Sequence, residues 1–213
     1  MQLIGMLDSP YVRRVAISLQ LLGLRFEHSP LSVFRTFDQC QQINPVVKAP
    51  TLVCDDGEVL MDSTLIIDYA QSLPDARRSL MPAGLAERQH VLRVIGLALA
   101  ACEKCVQIIY ERNLRPPEKQ HEPWLARVTG QLLAACAALE AEIVQRPLAA
   151  DRETIDQGGV SAAVAWQFIQ QTSVAESVPS RVYPALQALS SRAEALPEFA
   201  AAPHGAGTYR QAA

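Results

Sequence analysis

The sequence predicts an α/β domain over about residues 1–75 and an all-helical domain over about 87–213. Three observations carry this fold class. Short apolar runs alternate with helical stretches up to residue 73, in the order βαβαββα. That order builds a mixed sheet with crossover connections and a closing hairpin. Composition then shifts near residue 74, where Leu73-Pro74-Asp75 and Met81-Pro82-Ala83-Gly84 form a connecting segment. Beyond it no strand pattern recurs, and apolar residues fall at helical spacing.

In chain order, the apolar run from Leu3 to Leu7 predicts a strand at 2–7. Pro10 to Leu22 predicts a helix, opened by Ser9-Pro10 and stopped by Gly23. Arg25 to Ser29 alternates like a short strand, and Phe34 to Ile43 reads as a polar helix ended by Asn44-Pro45. Thr51 to Cys54 and Glu58 to Met61 are strands joined by Asp55-Asp56-Gly57, a hairpin signal. Ser63 opens a helix that shares Leu65, Ile66, Tyr69 and Leu73 on one face. In the second half, Val91, Val94, Ile95, Ala98, Cys102, Val106 and Ile109 line one stripe of a long helix from Glu87 to Asn113. Further helices are expected from Trp124 to Val144, from Ser161 after a break at Gly158-Gly159, and from Tyr183 to Leu196. Pro203 to Gly207 reads as a loose tail.

Apolar residues make up 49% of the 213 and charged residues 19%, with a net charge of −3. That balance suits a folded soluble chain and gives no electrostatic footprint for nucleic acid or acidic membranes. The most apolar stretch, Val94 to Cys102, is nine residues between Arg93 and Glu103, where a membrane span takes about 20. Five cysteines cannot all pair, so reduced thiols in a cytoplasmic protein are expected. The histidines at 28, 90, 121 and 204 have no metal-ligand spacing, and no metal is expected.

Three places have residues suited to chemistry. Ser9 stands at a strand-to-helix junction, where a hydroxyl either caps the helix or helps its amides hold an anion. Pro50 opens a strand, which needs no special account; the alternative is a cis Ala49-Pro50 bond that turns the backbone of Ala49 outward. Asp62-Ser63 opens a helix, either as caps or as a small site in which Ser63 and the amides hold a carboxylate while Asp62 holds an ammonium. A ligand bearing both groups is an α-amino acid end.

Ser9-Pro10-Tyr11-Val12-Arg13, Asn44-Pro45 with Lys48-Ala49-Pro50-Thr51-Leu52, and Asp62-Ser63 resemble, in order and spacing, the cytosolic glutathione S-transferases, in a bacterial form with serine at the catalytic position. Tyr183-Pro184-Ala185-Leu186 and Leu196-Pro197-Glu198-Phe199 echo the late helices of that family. The resemblance implies a thioredoxin-like βαβαββα domain followed by a helical one. It also implies a cytoplasmic, homodimeric, detoxifying transferase that takes glutathione as co-substrate. By position, Ser9 donates to the glutathione sulfur, and Ala49, ahead of a cis Pro50, pairs with the cysteinyl moiety. Asp62 and Ser63 take the γ-glutamyl ammonium and carboxylate, and Lys48 the glycine carboxylate. A small hydrophobic electrophile is expected between the domains near Tyr11 and Tyr110.

Serine at position 9 departs from the cysteine-type members and disfavours thiol–disulfide exchange, since it forms no mixed disulfide. Ser161-Ala162-Ala163-Val164 departs from the Ser/Thr-x-x-Asp capping box of the family, leaving only the cap of Ser161. Cys102-Glu103-Lys104-Cys105 falls within a helix rather than at its N-terminus, which points to core packing rather than redox or metal chemistry. Rival readings are a non-catalytic scaffold of the same fold, and a glutathione-dependent peroxidase, isomerase or dehalogenase.

Overall fold

The computed structural model describes residues 1–209; residues 210–213, which the expected helical domain includes, lie outside the described residues. The chain divides into two compact units, Met1–Leu80 together with the segment from Ala195 onward, and Met81–Glu194.

The first unit runs β1 (Gln2–Ile4), α1 (Pro10–Leu21), β2 (Glu27–Ser29), α2 (Phe37–Ile43), β3 (Thr51–Val53), β4 (Val59–Met61) and α3 (Ser63–Ser72), the order the sequence predicts. The sheet order is β2-β1-β3-β4. β1 pairs parallel with β2 and antiparallel with β3, and β3 pairs antiparallel with β4. α1 buries Val12, Val15, Ala16 and Leu19 completely, each large side chain contributing about 1.5–3 kcal/mol. The hairpin turns at Gly57, φ 90°, a conformation open to glycine.

β1 is shorter than its apolar run. Gly5 ends it at φ 132°, and a Cβ there would stand 2.6 Å from Val12 Cγ2 and 3.2 Å from Ala49 Cβ. The backbone therefore turns out of the sheet at Gly5, and Met6 and Leu7 enter the loop before α1.

The second unit packs α4 (Leu85–Leu114), α5 (Glu122–Gln145), α6 (Gln157–Gln170) and α7 (Pro184–Glu194). α6 is buried along nearly its whole length, as expected of a helix that is apolar all round. The apolar stripe of α4 runs through Ala101, Cys102 and Cys105, while Val106 and Ile109 are half-buried.

Three expectations are corrected. Gly158-Gly159 does not precede α6 but forms its first turn. The cap is Asp156, which accepts from Gly159 N–H at 2.9 Å. Ser161 is therefore no cap; it lies inside the helix and donates to the carbonyl of Gln157 at 2.6 Å. The cap-x-x-N3 motif stands five residues earlier than its sequence pattern suggested, and glycine at N3 returns no side chain to it. The glycines are needed for space: a Cβ at 159 would stand 3.1 Å from the carbonyl oxygen of Ala149.

The helix expected over 183–196 also stops at Glu194, and α8 (Pro197–Ala200) follows as part of the first unit. Buried Arg13 holds it: Nε donates to the Ala202 carbonyl at 2.7 Å, Nη2 to Phe199 O at 3.4 Å, and the guanidinium lies over the Phe199 ring. Residues 203–207 form neither helix nor strand, and the chain is anchored just beyond them. Tyr209 stacks on Phe26 at 4.3 Å, and its N–H donates to His28 Nδ1 at 3.0 Å.

Gly5→Ala brings both a Cβ overlap and a disfavoured φ, and is expected to destabilise the protein by about 2–4 kcal/mol. The measurement is the urea unfolding midpoint by circular dichroism, and an unchanged midpoint would refute the tight packing at Gly5.

Candidate functional site

Strand register brings the three candidate places to one end of the sheet. Ile4 lies opposite Ser29 and Thr51, and Thr51 lies opposite Met61, so one row crosses all four strands. From this row β1 runs out into Gly5 to Ser9, β3 is entered through Ala49-Pro50, and β4 runs out into Asp62-Ser63. From β1 to β4 is two strand spacings, about 10 Å.

Ser9 is the N-cap of α1. It has an extended backbone, and its half-buried hydroxyl accepts from Val12 N–H at 3.4 Å. Pro10 occupies the first helical position, where its missing N–H leaves no gap. Among the described residues nothing accepts the hydroxyl proton of Ser9. The group is thus aligned by a helix amide and keeps a proton to donate.

The Ala49–Pro50 peptide bond is cis. Among the described residues no hydrogen bond takes up the N–H or C=O of Ala49. Its loop is braced from below: buried Asn44 donates to Thr51 Oγ1 at 2.9 Å and accepts from Val46 N–H at 3.0 Å, and Thr51 donates to Lys48 O at 2.6 Å. Val47, at φ 52°, makes the turn. Asn44 is therefore a brace as well as a helix stop. Beside Ala49 and Lys48 is a crevice of about 10 Å³, lined by Gly5, Val33, Asn44 and Val47. That is room for about one water and no substrate.

Asp62, at φ 75°, caps α3 by accepting from Thr64 N–H at 2.9 Å through Oδ1. Its Oδ2 lies 3.7 Å from Lys48 Nζ, with both side chains about half exposed. Such a pair is worth about 0–1 kcal/mol and is readily exchanged for another cation. Ser63 is buried, and its Oγ accepts from Arg14 Nη1 at 2.9 Å; the same nitrogen lies 3.2 Å from Thr64 Oγ1. Arg14 is the residue the sequence did not disclose. A cation inside the first turns of a helix usually faces solvent, and this one is buried where α1 packs on α3.

Tyr11 lies in the first turn of α1, half-buried. Tyr110 belongs to the other unit, on α4, and is 43% exposed.

All five cysteines are buried thiols outside any disulfide. Burial raises the thiol of Cys105 to about 11, although the Thr172 hydroxyl at 3.7 Å opposes the shift. Burial also raises Cys136 to about 12, with a further push from Cys105. Cys102 is 3% exposed and belongs to the α4 core. Among the described residues no group of three or more His, Cys, Asp or Glu is placed to hold a metal ion, and no helix is long and apolar enough to cross a membrane.

Native protein at pH 8 is therefore expected to show less than one rapidly reacting thiol with Ellman's reagent, against five after denaturation. A fast native equivalent would show that one of these thiols is accessible and activated.

Residues 3–78 match the family described as glutathione S-transferase, N-terminal domain. The chain is 27% identical to the uncharacterized GST-like protein YibF of Escherichia coli K12, over 78% of this chain and 81% of that protein. It is 29% identical to maleylacetoacetate isomerase of Pseudomonas aeruginosa, over 59% and 63% of the two chains. It also superposes with a TM-score of 0.79 on a glutathione transferase family member from Pseudomonas fluorescens Pf-5, crystallised with S-(propanoic acid)-glutathione. That pair is 28% identical, over 94% of this chain and 95% of the other.

Proposed function

We propose, from the match of residues 3–78 to the glutathione S-transferase N-terminal domain family, that the chain is a serine-type glutathione transferase. It binds glutathione in the first unit, stabilises the thiolate, and conjugates it to a small hydrophobic electrophile. The observation that carries this reading is Ser9, a hydroxyl aligned by Val12 N–H with its own proton unclaimed among the described residues. It stands on the same sheet end as Ala49 and Asp62-Ser63.

The ligand fits by length and by chemistry. An extended tripeptide reaches about 10 Å, the span from β1 to β4. The ligand's backbone finds its complement in Ala49, whose N–H and C=O are open to antiparallel pairing. Its amino-acid end meets the carboxylate of Asp62 and the hydroxyl of Ser63. The incoming ammonium displaces Lys48 from Asp62, which frees Lys48 for the carboxylate at the ligand's other end.

A free thiol with a pKa near 8.5 is only a few percent ionised at neutral pH. Lowering it by about two units takes roughly 2.7 kcal/mol of preference for the thiolate. A hydroxyl bond to a charged group supplies about 1.5–3 kcal/mol, and a helix N-terminus about 0.3–1. Ser9 at the start of α1 is sufficient. Once the thiol proton has left to solvent, the thiolate electron pair forms the new carbon–sulfur bond. The bond broken at that carbon is either the one to a leaving group, which departs with its electron pair, or a π bond whose displaced pair takes a proton from solvent. Tyr11 is the proposed aromatic neighbour of the electrophile. A cytoplasmic homodimer is part of this proposal. Met61 and Leu65, apolar and exposed on the first unit, are the surface offered to a second copy.

The similarity to maleylacetoacetate isomerase favours a second reading, glutathione-dependent isomerisation. It uses the same thiolate and then releases it again. A panel of electrophiles and isomerisable substrates with glutathione separates the two. Failure of the intact protein to bind a glutathione column would leave only the scaffold reading.

Ser9→Ala is expected to fold and bind glutathione while the pKa of the bound thiol rises by about 1–2 units. Ultraviolet thiolate absorbance measures it, and an identical titration curve would remove Ser9 from the mechanism. Asp62→Asn keeps both the cap and a residue type that tolerates φ 75°. It should weaken glutathione binding about tenfold with turnover at saturation within about twofold. Calorimetry showing equal affinity would contradict the assignment of Asp62.

A further inference from the structure

We propose that Arg14 is a positioning residue that fixes Ser63 as a hydrogen-bond donor toward the carboxylate at the ligand's amino-acid end. This rests on the glutathione-binding reading above and names the device that makes the subsite selective for an anion.

A guanidinium has N–H groups only and accepts nothing. Arg14 Nη1 donates to Ser63 Oγ at 2.9 Å and lies 3.2 Å from Thr64 Oγ1, while Arg14 and Ser63 are 2% and 3% exposed. The Ser63 oxygen is therefore already supplied, and its proton must be given elsewhere. Among the described residues nothing accepts it. The other buried helical serines of the described residues spend that proton on a carbonyl: Ser18 on Arg14 O at 2.8 Å, Ser161 on Gln157 O at 2.6 Å and Ser190 on Ala163 O at 3.1 Å. Ser63, the first residue of α3, has no helical carbonyl behind it. A buried hydroxyl held from one side by a donor, beside the open amides of a helix start, is complementary to a group that only accepts. A carboxylate is such a group; a carboxamide offers an N–H and one carbonyl oxygen and is a poorer match.

The test compares glutathione with its analogue in which the γ-glutamyl α-carboxylate is a carboxamide, using calorimetry on the full chain. In the unaltered protein the analogue should bind about tenfold or more weakly. Ser63→Ala should shrink that ratio, and Arg14→Gln should shrink it to within about twofold of the Ser63→Ala value. The double variant should lose little more than either single one. A merely structural Arg14 would weaken both ligands together and leave the ratio unmoved, which overturns the proposal, as would additive losses in the double variant. Should Arg14→Gln fail to fold, Arg14→Lys decides. Its shorter stem does not serve both hydroxyls, so the ratio should fall partway, by about threefold, and an unmoved ratio is again fatal. An unaltered chain that binds neither ligand defeats the glutathione reading itself. One that binds glutathione with an unmoved ratio in every variant defeats only the role of Arg14.

Discussion

The first unit depends on a contact that a methyl group would abolish. At Gly5 the strand leaves the sheet with its backbone against the side chains of Val12 and Ala49, and no other residue type has both the φ range and the room. That approach sets the distance between the turn that Ser9 caps and the loop that presents Ala49. The backbone of Gly5 is used as well, its N–H donating to Ser29 O at 3.0 Å and its carbonyl meeting His28 Nε2 at 2.7 Å. Because Tyr209 N–H donates to His28 Nδ1, Nδ1 is the acceptor and Nε2 carries the proton. One imidazole thus joins β2, the end of β1 and the C-terminal segment.

The candidate site is assembled from helix caps. Two N-caps, Ser9 and Asp62, stand at the same end of the sheet, and each orients a side chain by giving it a backbone N–H to accept. Capping and ligand binding draw on the same amides, so the bland reading of each residue and the functional one are compatible. What separates these caps from ordinary ones is their surplus. Ser9 retains a proton, Asp62 retains Oδ2 for an exchangeable cation, and Ala49 retains both backbone groups.

Much of the fold was legible because its signals are local. Ser9-Pro10, Asp55-Asp56-Gly57 and Asp62-Ser63 specify a turn or a cap within four residues, and the βαβαββα order follows from reading them in sequence. The glycine pair at 158–159 misled because glycine breaks a helix only where nothing caps it. Asp156 does cap it, and the tight contact with the Ala149 carbonyl is invisible in one dimension. Arg14 and the return of α8 were illegible for a similar reason. Both depend on cations buried by tertiary packing, and neither spacing nor composition marks an arginine as internal.

Arg13 also couples distant segments of the chain in time. Its carbonyl acceptors at Phe199 and Ala202 lie 186 and 189 residues downstream. At about 5–20 residues per second, a ribosome reaches them on the order of ten to forty seconds after Arg13 has been made. Throughout that interval the guanidinium lacks those acceptors, so the sheet-bearing unit finishes only after the helical unit's sequence has emerged. The unit whose strands are synthesised before the helical unit is completed after it.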